Sequence, residues 1–273
     1  MRNKTEGTER NLASLQMDYI IQVNRIVKEA NERKIRLRAM GGIGIVLHCP
    51  NQRKLLQEMN RLPSDLDFMA LSRQEKQIEE LFRDLGYTEK GGQGITMEIW
   101  SNRRIYEHPV FPHTDIFFDE LDFCHRIDFR KRMNIDSPAV SPADLMLGKL
   151  QIFEINEKDL QDLIVVNVEH SLSKQDEPDR INAQYIADVL AQDWGFCYTA
   201  VTNLKKAQKL AQKYYHEMLA VDEMQRAYRQ IGELLQWIES APKTLKWKAR
   251  SMIGTKVKWY KNPGEEYREV VGG

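Results

Sequence analysis

The chain has 273 residues, 42% of them apolar, and its 40 Lys plus Arg against 40 Asp plus Glu give zero formal charge. That balance excludes a uniformly basic polyanion coat but leaves room for a local basic face, and the length allows one large domain or two modest ones. Cys49, Cys124 and Cys197 form no CxxC pair, which excludes a disulfide framework and points to free thiols in a reducing, cytoplasmic setting.

The N-terminus carries charges with no apolar stretch behind them, and no run of about 18 uncharged apolar residues follows anywhere, so neither secretion nor a membrane span is expected. From Leu12 to Ala30 apolar residues recur at three and four, which predicts an amphipathic helix. Ile35 to Met40 alternates apolar and basic before Gly41-Gly42 and predicts a strand entering a turn, with a short helix over Ile43 to Cys49. Asn51 to Leu62 is helix-permissive, Leu66 to Leu71 reads as a strand, and Glu75 to Leu85 as a helix ended by Gly86. This alternation marks a mixed α/β (α+β) domain. After the turn Gly91-Gly92-Gln93-Gly94, the runs Ile95 to Trp100, Arg104 to Glu107 and Thr114 to Phe118 suit a small sheet with antiparallel members.

Beyond Pro142 the pattern becomes helical. One helix is expected to hold Leu145 to Phe153, a second Asp159 to Val168, then a loop over Ser171 to Pro178, then helices over Ile181 to Leu190, Tyr198 to Leu219 and Glu223 to Ile238. The expected division is an α/β domain over 1–138 and an all-helical domain over 139–273. The latter ends in a tail, Lys243 to Lys261, with six Lys, one Arg and no acid. That tail could track a nucleic-acid backbone, with Trp247, Trp259 and Tyr260 able to stack on bases. It reads equally as a helix whose Leu245, Trp247 and Ile253 pack while its lysines stay in water.

The chemistry concentrates in Met40-Gly41-Gly42, Ser64-Asp65-Leu66-Asp67 and Thr114-Asp115. Residues two apart on a strand face one side, so Asp65 and Asp67 project together, and two carboxylates that close repel unless a cation lies between them. Mg²⁺ favours such carboxylates plus substrate phosphate oxygens, and Asp115 on a neighbouring strand could complete a two-metal arrangement. Gly41-Gly42 at the start of a helix leaves backbone N–H groups open to phosphate. Taken singly, a glycine pair or an Asp-x-Asp strand is also explained by ordinary turns and solvated strand ends.

In order, these residues resemble the nucleotidyltransferase superfamily of polymerase-beta-like fold, in which a hydrophobic residue and a Gly pair precede an Asp-hydrophobic-Asp strand and a later third Asp. The subgroup most similar includes abortive-infection toxin-like and aminoglycoside nucleotidyltransferase-like proteins, where Arg or Ser precedes the Asp pair, as Arg61 and Ser64 do. Helices like Pro142 to Gln151 and Glu157 to Leu163 are also typical of it, so the resemblance runs from about residue 35 to 166. The 22 residues between Gly42 and Asp65 exceed the usual gap, which makes Asn51 to Asn60 an apparent insertion.

The resemblance implies transfer of a nucleoside monophosphate from an NTP, such as ATP, to a hydroxyl or phosphate acceptor on RNA or a small molecule, with release of pyrophosphate. It assigns Asp65, Asp67 and Asp115 to Mg²⁺ or Mn²⁺, Gly41, Gly42 and Ser64 to the nucleotide, and Lys149 to its phosphates. Lys149 also fits an exposed position on an amphipathic helix, and Asp159 with Asp162 reads as a structural pairing face toward basic residues of the first domain. A non-catalytic nucleotide- or RNA-binding module of a regulatory or phage-defence system, with an antitoxin-like partner, is the second reading.

Other chemistries fit less well. Gly42-Ile43-Gly44 resembles a dinucleotide-binding fingerprint, but Leu47 stands where its third glycine belongs. His48, Cys49, His108, His113, Cys124 and His125 show no zinc-type spacing beyond a loose His108 and His113 couple. No P-loop or serine-hydrolase elbow occurs.

Overall fold

The computed structural model describes residues 12–90, 102–217 and 220–262. The expected strand Ile95 to Trp100 and the turn at residues 91–94 lie outside them. Helix α1 (Leu12–Glu32) buries Ile20, Val23, Ile26, Val27 and Ala30, the stripe its periodicity announces. Strand β1 (Leu37–Met40) leads directly into α2 (Gly41–His48), so the predicted helix starts two residues early. The stretch read as helix-permissive, Asn51 to Leu62, holds part of a 3₁₀ turn at Pro50–Gln52 and then α3 (Arg53–Glu58), which ends four residues before Leu62. Strand β2 (Leu66–Ala70) and α4 (Glu75–Asp84) come next, and then β3 (Thr88–Glu89), β4 (Arg103–Glu107) and β5 (Thr114–Phe118).

These strands form one mixed sheet in the order β1-β2-β5-β4-β3. Only the β2–β5 pair is parallel, and the other three pairs are antiparallel. Every residue of β1 and β5 is buried, the signature of strands covered on both faces. That is why Ile116, Phe117 and Phe118 run on without polar alternation. An unanticipated ribbon, β6 (Glu120–Asp122) and β7 (Arg126–Asp128), follows the sheet.

The chain then passes back along β1, where the Ala39 N–H donates to the Pro138 carbonyl at 3.0 Å and the Val140 N–H to the Ala39 carbonyl at 2.9 Å. Helix α5 (Pro142–Leu150) starts where sequence signals place it, with Ser141 accepting from the Asp144 N–H and proline at its first position. It stops before the predicted Ile152 and Phe153, because the Asn203 side chain takes up the freed carbonyls of Leu150 and Ile152. Helix α6 (Glu157–Glu169) is buried along most of its length and is surrounded by α5, α8 (Trp194–Glu217) and α9 (Val221–Ser240).

Two departures mark this helical half. Ser171–Ser173 (β8), expected in a loop, pairs in parallel with Arg180–Asn182 (β9), just ahead of α7 (Ala183–Leu190). Three-residue pairing is too short to leave an alternating pattern, and Ile181 from this ribbon enters the core. In the tail, α10 (Leu245–Ile253) forms, but Leu245 is 84% exposed and Ile253 46%, so only Trp247 of the expected packing trio is half-buried. The buried apolar residues form one cluster running through both halves. Among the described residues no helix is long and apolar enough to cross a membrane.

Candidate active site

Strand register assembles the site. Met40, the last residue of β1, lies opposite Asp67, and Asp67 lies beside Asp115 in the parallel β2–β5 pair. Asp65 sits one residue ahead of β2 rather than on it, yet it lines the same cleft. The cleft, of about 250 Å³, is walled on one side by Gly41 and the three aspartates and on the other by Leu145, Gly148 and Lys149 of α5. Phe117, Leu121, Phe123 and Ile152 give it an apolar flank.

Gly41 has a φ of +61°, and a Cβ built there would lie 2.1 Å from Asp67 Oδ2. Only glycine permits both the left-handed turn and the carboxylate pressed against it. Among the described residues neither the Asp65 nor the Asp67 carboxylate has a direct hydrogen-bond or ion-pair partner. Burial, and then the charges of Asp65 and Asp115, push the Asp67 carboxyl up to about 8. A half-buried carboxylate with two like neighbours, which outweigh the more distant charges of Lys149 and Arg103, favours a proton or a cation at this position. The donor set is all oxygen, which fits a hard divalent ion.

Asp115 is buried and already engaged. Arg103 donates from Nε at 3.0 Å and Nη2 at 2.7 Å to its two oxygens, and His113 Nε2 lies 3.6 Å away. Arg103 thus holds one of the three acids in a two-pronged pair, and among the described residues no three metal-ligating side chains form a ready-made cluster. Arg103 was not among the residues singled out from sequence. It enters from β4 one step ahead of the predicted strand start, and only the β4–β5 register aims it at Asp115.

The remaining sequence candidates separate. Lys149 lines the cleft, but its ammonium is bound by Asp159 at 2.7 Å and Asp162 at 3.0 Å rather than exposed. Burial works against that charge, but Asp162 and Asp159 outweigh it and hold the ammonium above its ordinary range. Arg61 donates from Nε and Nη2 to both oxygens of Asp162, at 2.7 Å each. Arg61, Asp162, Lys149 and Asp159 therefore form one buried ion-pair chain joining α5 and α6 to the segment ahead of β2, the structural role expected for the two acids. Gly42 faces this chain rather than the cleft, since a Cβ there would lie 2.6 Å from Arg61 Nη2. Ser64 is exposed and lies outside the cleft lining.

A second buried charge system supports the far wall. Arg132 donates to Asp144 at 3.1 Å, to Asp176 at 2.6 Å and to Ser141 Oγ at 3.1 Å, with its guanidinium 3.8 Å from the Tyr185 ring centroid. Asp144 lines the cleft, so this network holds the first turn of α5 in place.

No protein-family model matches the chain. A search of curated proteins found no significant match. Among solved structures, the solution structure of the antibiotic-resistance factor ANT(2'')-Ia aligns at 13% identity with a TM-score of 0.32, covering 87% of this chain and 95% of that one. A likeness this distant bears on neither the site nor its chemistry.

Proposed function

We propose that this cleft transfers a nucleoside monophosphate from an NTP to an acceptor, with loss of pyrophosphate. The observation that carries the reading is the pair of carboxylates, Asp65 and Asp67, that have no direct ion-pair partner among the described residues, set beside Asp115 where the strand β1 turns through Gly41 into α2. Asp65 and Asp67 would hold Mg²⁺ or Mn²⁺. A bound divalent ion neutralises phosphate charge and polarises the phosphoryl oxygen.

The chain's own groups do the rest. Gly41 brings the open N–H groups of the α2 N-terminus to the cleft edge, where they suit an anion. Arg103 supplies a cation at the opposite edge. Asp115, once released from Arg103, accepts the proton of an incoming hydroxyl, and the α5 wall positions that acceptor. Lys149 acts indirectly, by fixing α5 against α6.

Incubating the chain with Mg²⁺ and each NTP, and following pyrophosphate release, tests this. Asp67→Asn is expected to lose at least about 100-fold of the rate. Equal release by wild type and variant sinks the proposal.

The Arg103–Asp115 pair favours one other reading, a module that binds nucleotide without turnover because its third acid is locked. Nucleotide binding that persists with no pyrophosphate release from the wild type, or from Arg103→Gln, would select it.

A further inference from the structure

We propose that the basic C-terminal segment and the hollow it covers bind a single-stranded nucleic acid, whose end is the acceptor. That acceptor role rests on reading the neighbouring cleft as a nucleotidyl-transfer site.

The hollow is lined by Phe123, Cys124, Ile152, Phe153, Tyr260 and Lys261, and Phe123 and Ile152 line the carboxylate cleft as well. The two spaces therefore share a wall. The C-terminal segment is pinned over this hollow by specific contacts. The Lys261 N–H donates to the Cys124 carbonyl at 3.0 Å, and its ammonium pairs with Asp122 of β6 at 2.6 Å. The Trp259 indole N–H donates to Thr199 Oγ1 at 3.2 Å, and the Tyr260 ring stacks on Phe153 with centroids 3.6 Å apart. Upstream, the Arg250 guanidinium lies 4.8 Å from the Trp194 ring centroid. The segment thus follows a fixed path from α10, across the start of α8, to the edge of the cleft.

Along that path the chain from Lys243 to Lys261 holds no Asp or Glu. Lys246, Lys248 and Lys256 are exposed and make no ion pair with any described residue. In a chain of zero net charge, these solvated ammonium groups make the segment locally cationic, which suits a polyanion because phosphates bound there release condensed counterions. Glu154 also borders the hollow. It repels a phosphate but accepts from the exocyclic amine of adenine or cytosine, so the backbone belongs on the lysines and a base in the hollow, against the Phe153 and Tyr260 rings. Leu245 and Met252, both more than 80% exposed on α10, make an anionic lipid surface the competing partner. The aromatic groups, however, line a concavity instead of the outer face, which favours a flat ring entering it.

The test is fluorescence anisotropy of a labelled oligoadenylate with the full chain in Mg²⁺ buffer. Wild type is expected to bind, and to weaken roughly 50-fold between about 50 and 200 mM salt if about four phosphates of the single strand are neutralised. Lys246→Glu/Lys248→Glu/Lys256→Glu is expected to lose at least about tenfold, with the triple Gln variant between, and all three proteins should melt alike because these side chains are solvated. Absence of binding at low salt, or equal affinity of wild type and the Glu variant, overturns the inference. So does Glu-sensitive binding to phosphatidylserine vesicles without binding to the oligonucleotide. Pyrophosphate release without oligonucleotide binding defeats this inference alone, whereas oligonucleotide binding without NTP turnover supports the binding segment and defeats the transfer reading.

Discussion

Asp67 and Asp115 stand side by side in the parallel register of β2 and β5, and their surroundings treat them differently. Asp115 is neutralised by Arg103, whereas Asp67 is left with like charges and its carboxyl is pushed up to about 8 by burial first and those charges second. An acid whose folded value is raised binds more protons folded than unfolded, so it removes stability as pH rises from its unfolded value, near 4, through about 8. Asp67→Asn is therefore expected to raise stability at pH 8 by on the order of 1 kcal/mol while abolishing pyrophosphate release. Thermal melts at pH 5 and pH 8 check it, and a variant less stable at both would contradict the account. Mg²⁺ should also raise the wild-type melting temperature more at pH 8 than at pH 6, because the ion competes with the Asp67 proton.

Gly41→Ala places a methyl group 2.1 Å from Asp67 Oδ2 at a φ of +61°. Left-handed backbone costs an L-residue about 1–2 kcal/mol, and the displaced carboxylate adds a loss of activity. Urea titration alongside the pyrophosphate assay should show both effects. Gly254→Ala, also at a φ of +61° but with nothing near its Cβ, should show only the strain.

Breaking the Arg61–Asp162 pair should destabilise the chain far more than any surface pair. Arg61→Ala strands a buried carboxylate and is expected to lose about 3 kcal/mol, at the low end for buried pairs because Lys149 still reaches Asp162 at 3.0 Å. Denaturant unfolding measures the loss. A change no larger than that of exposed Lys28→Ala, whose i,i+4 pair with Glu32 is solvated, would refute the assignment.

His125 provides a pH test away from the cleft. Burial pushes it down to about 4, where it is stacked on Phe196 and bonded to Thr199 Oγ1 at 2.9 Å. A histidine with a depressed folded value is protonated more readily when unfolded, so stability is lost as pH falls from its unfolded value, near 6.5, toward 4. The loss should approach about 3 kcal/mol at the bottom of that window. His125→Gln, melted across the same range, should flatten the slope, and an unchanged slope would place the titration elsewhere.

By itself the sequence determined most of the longer elements, though not the two short ribbons, and the order in which the three acids occur along the chain. Helical and strand periods, the proline and serine ahead of α5, and the apolar runs of β2 and β5 are local patterns set by backbone geometry. The Met40-Gly41-Gly42 turn and Asp65-x-Asp67 are local as well, and so were legible. Tertiary structure alone decided which candidates share the cleft. It turned Gly42 toward Arg61, left Ser64 outside, closed Lys149 into pairs with Asp159 and Asp162, and aimed Arg103 at Asp115. Those outcomes depend on strand register and on contacts as distant as Arg61 with Asp162, 101 positions apart. A one-residue change of register reverses every side chain on a strand, and no short sequence pattern records it.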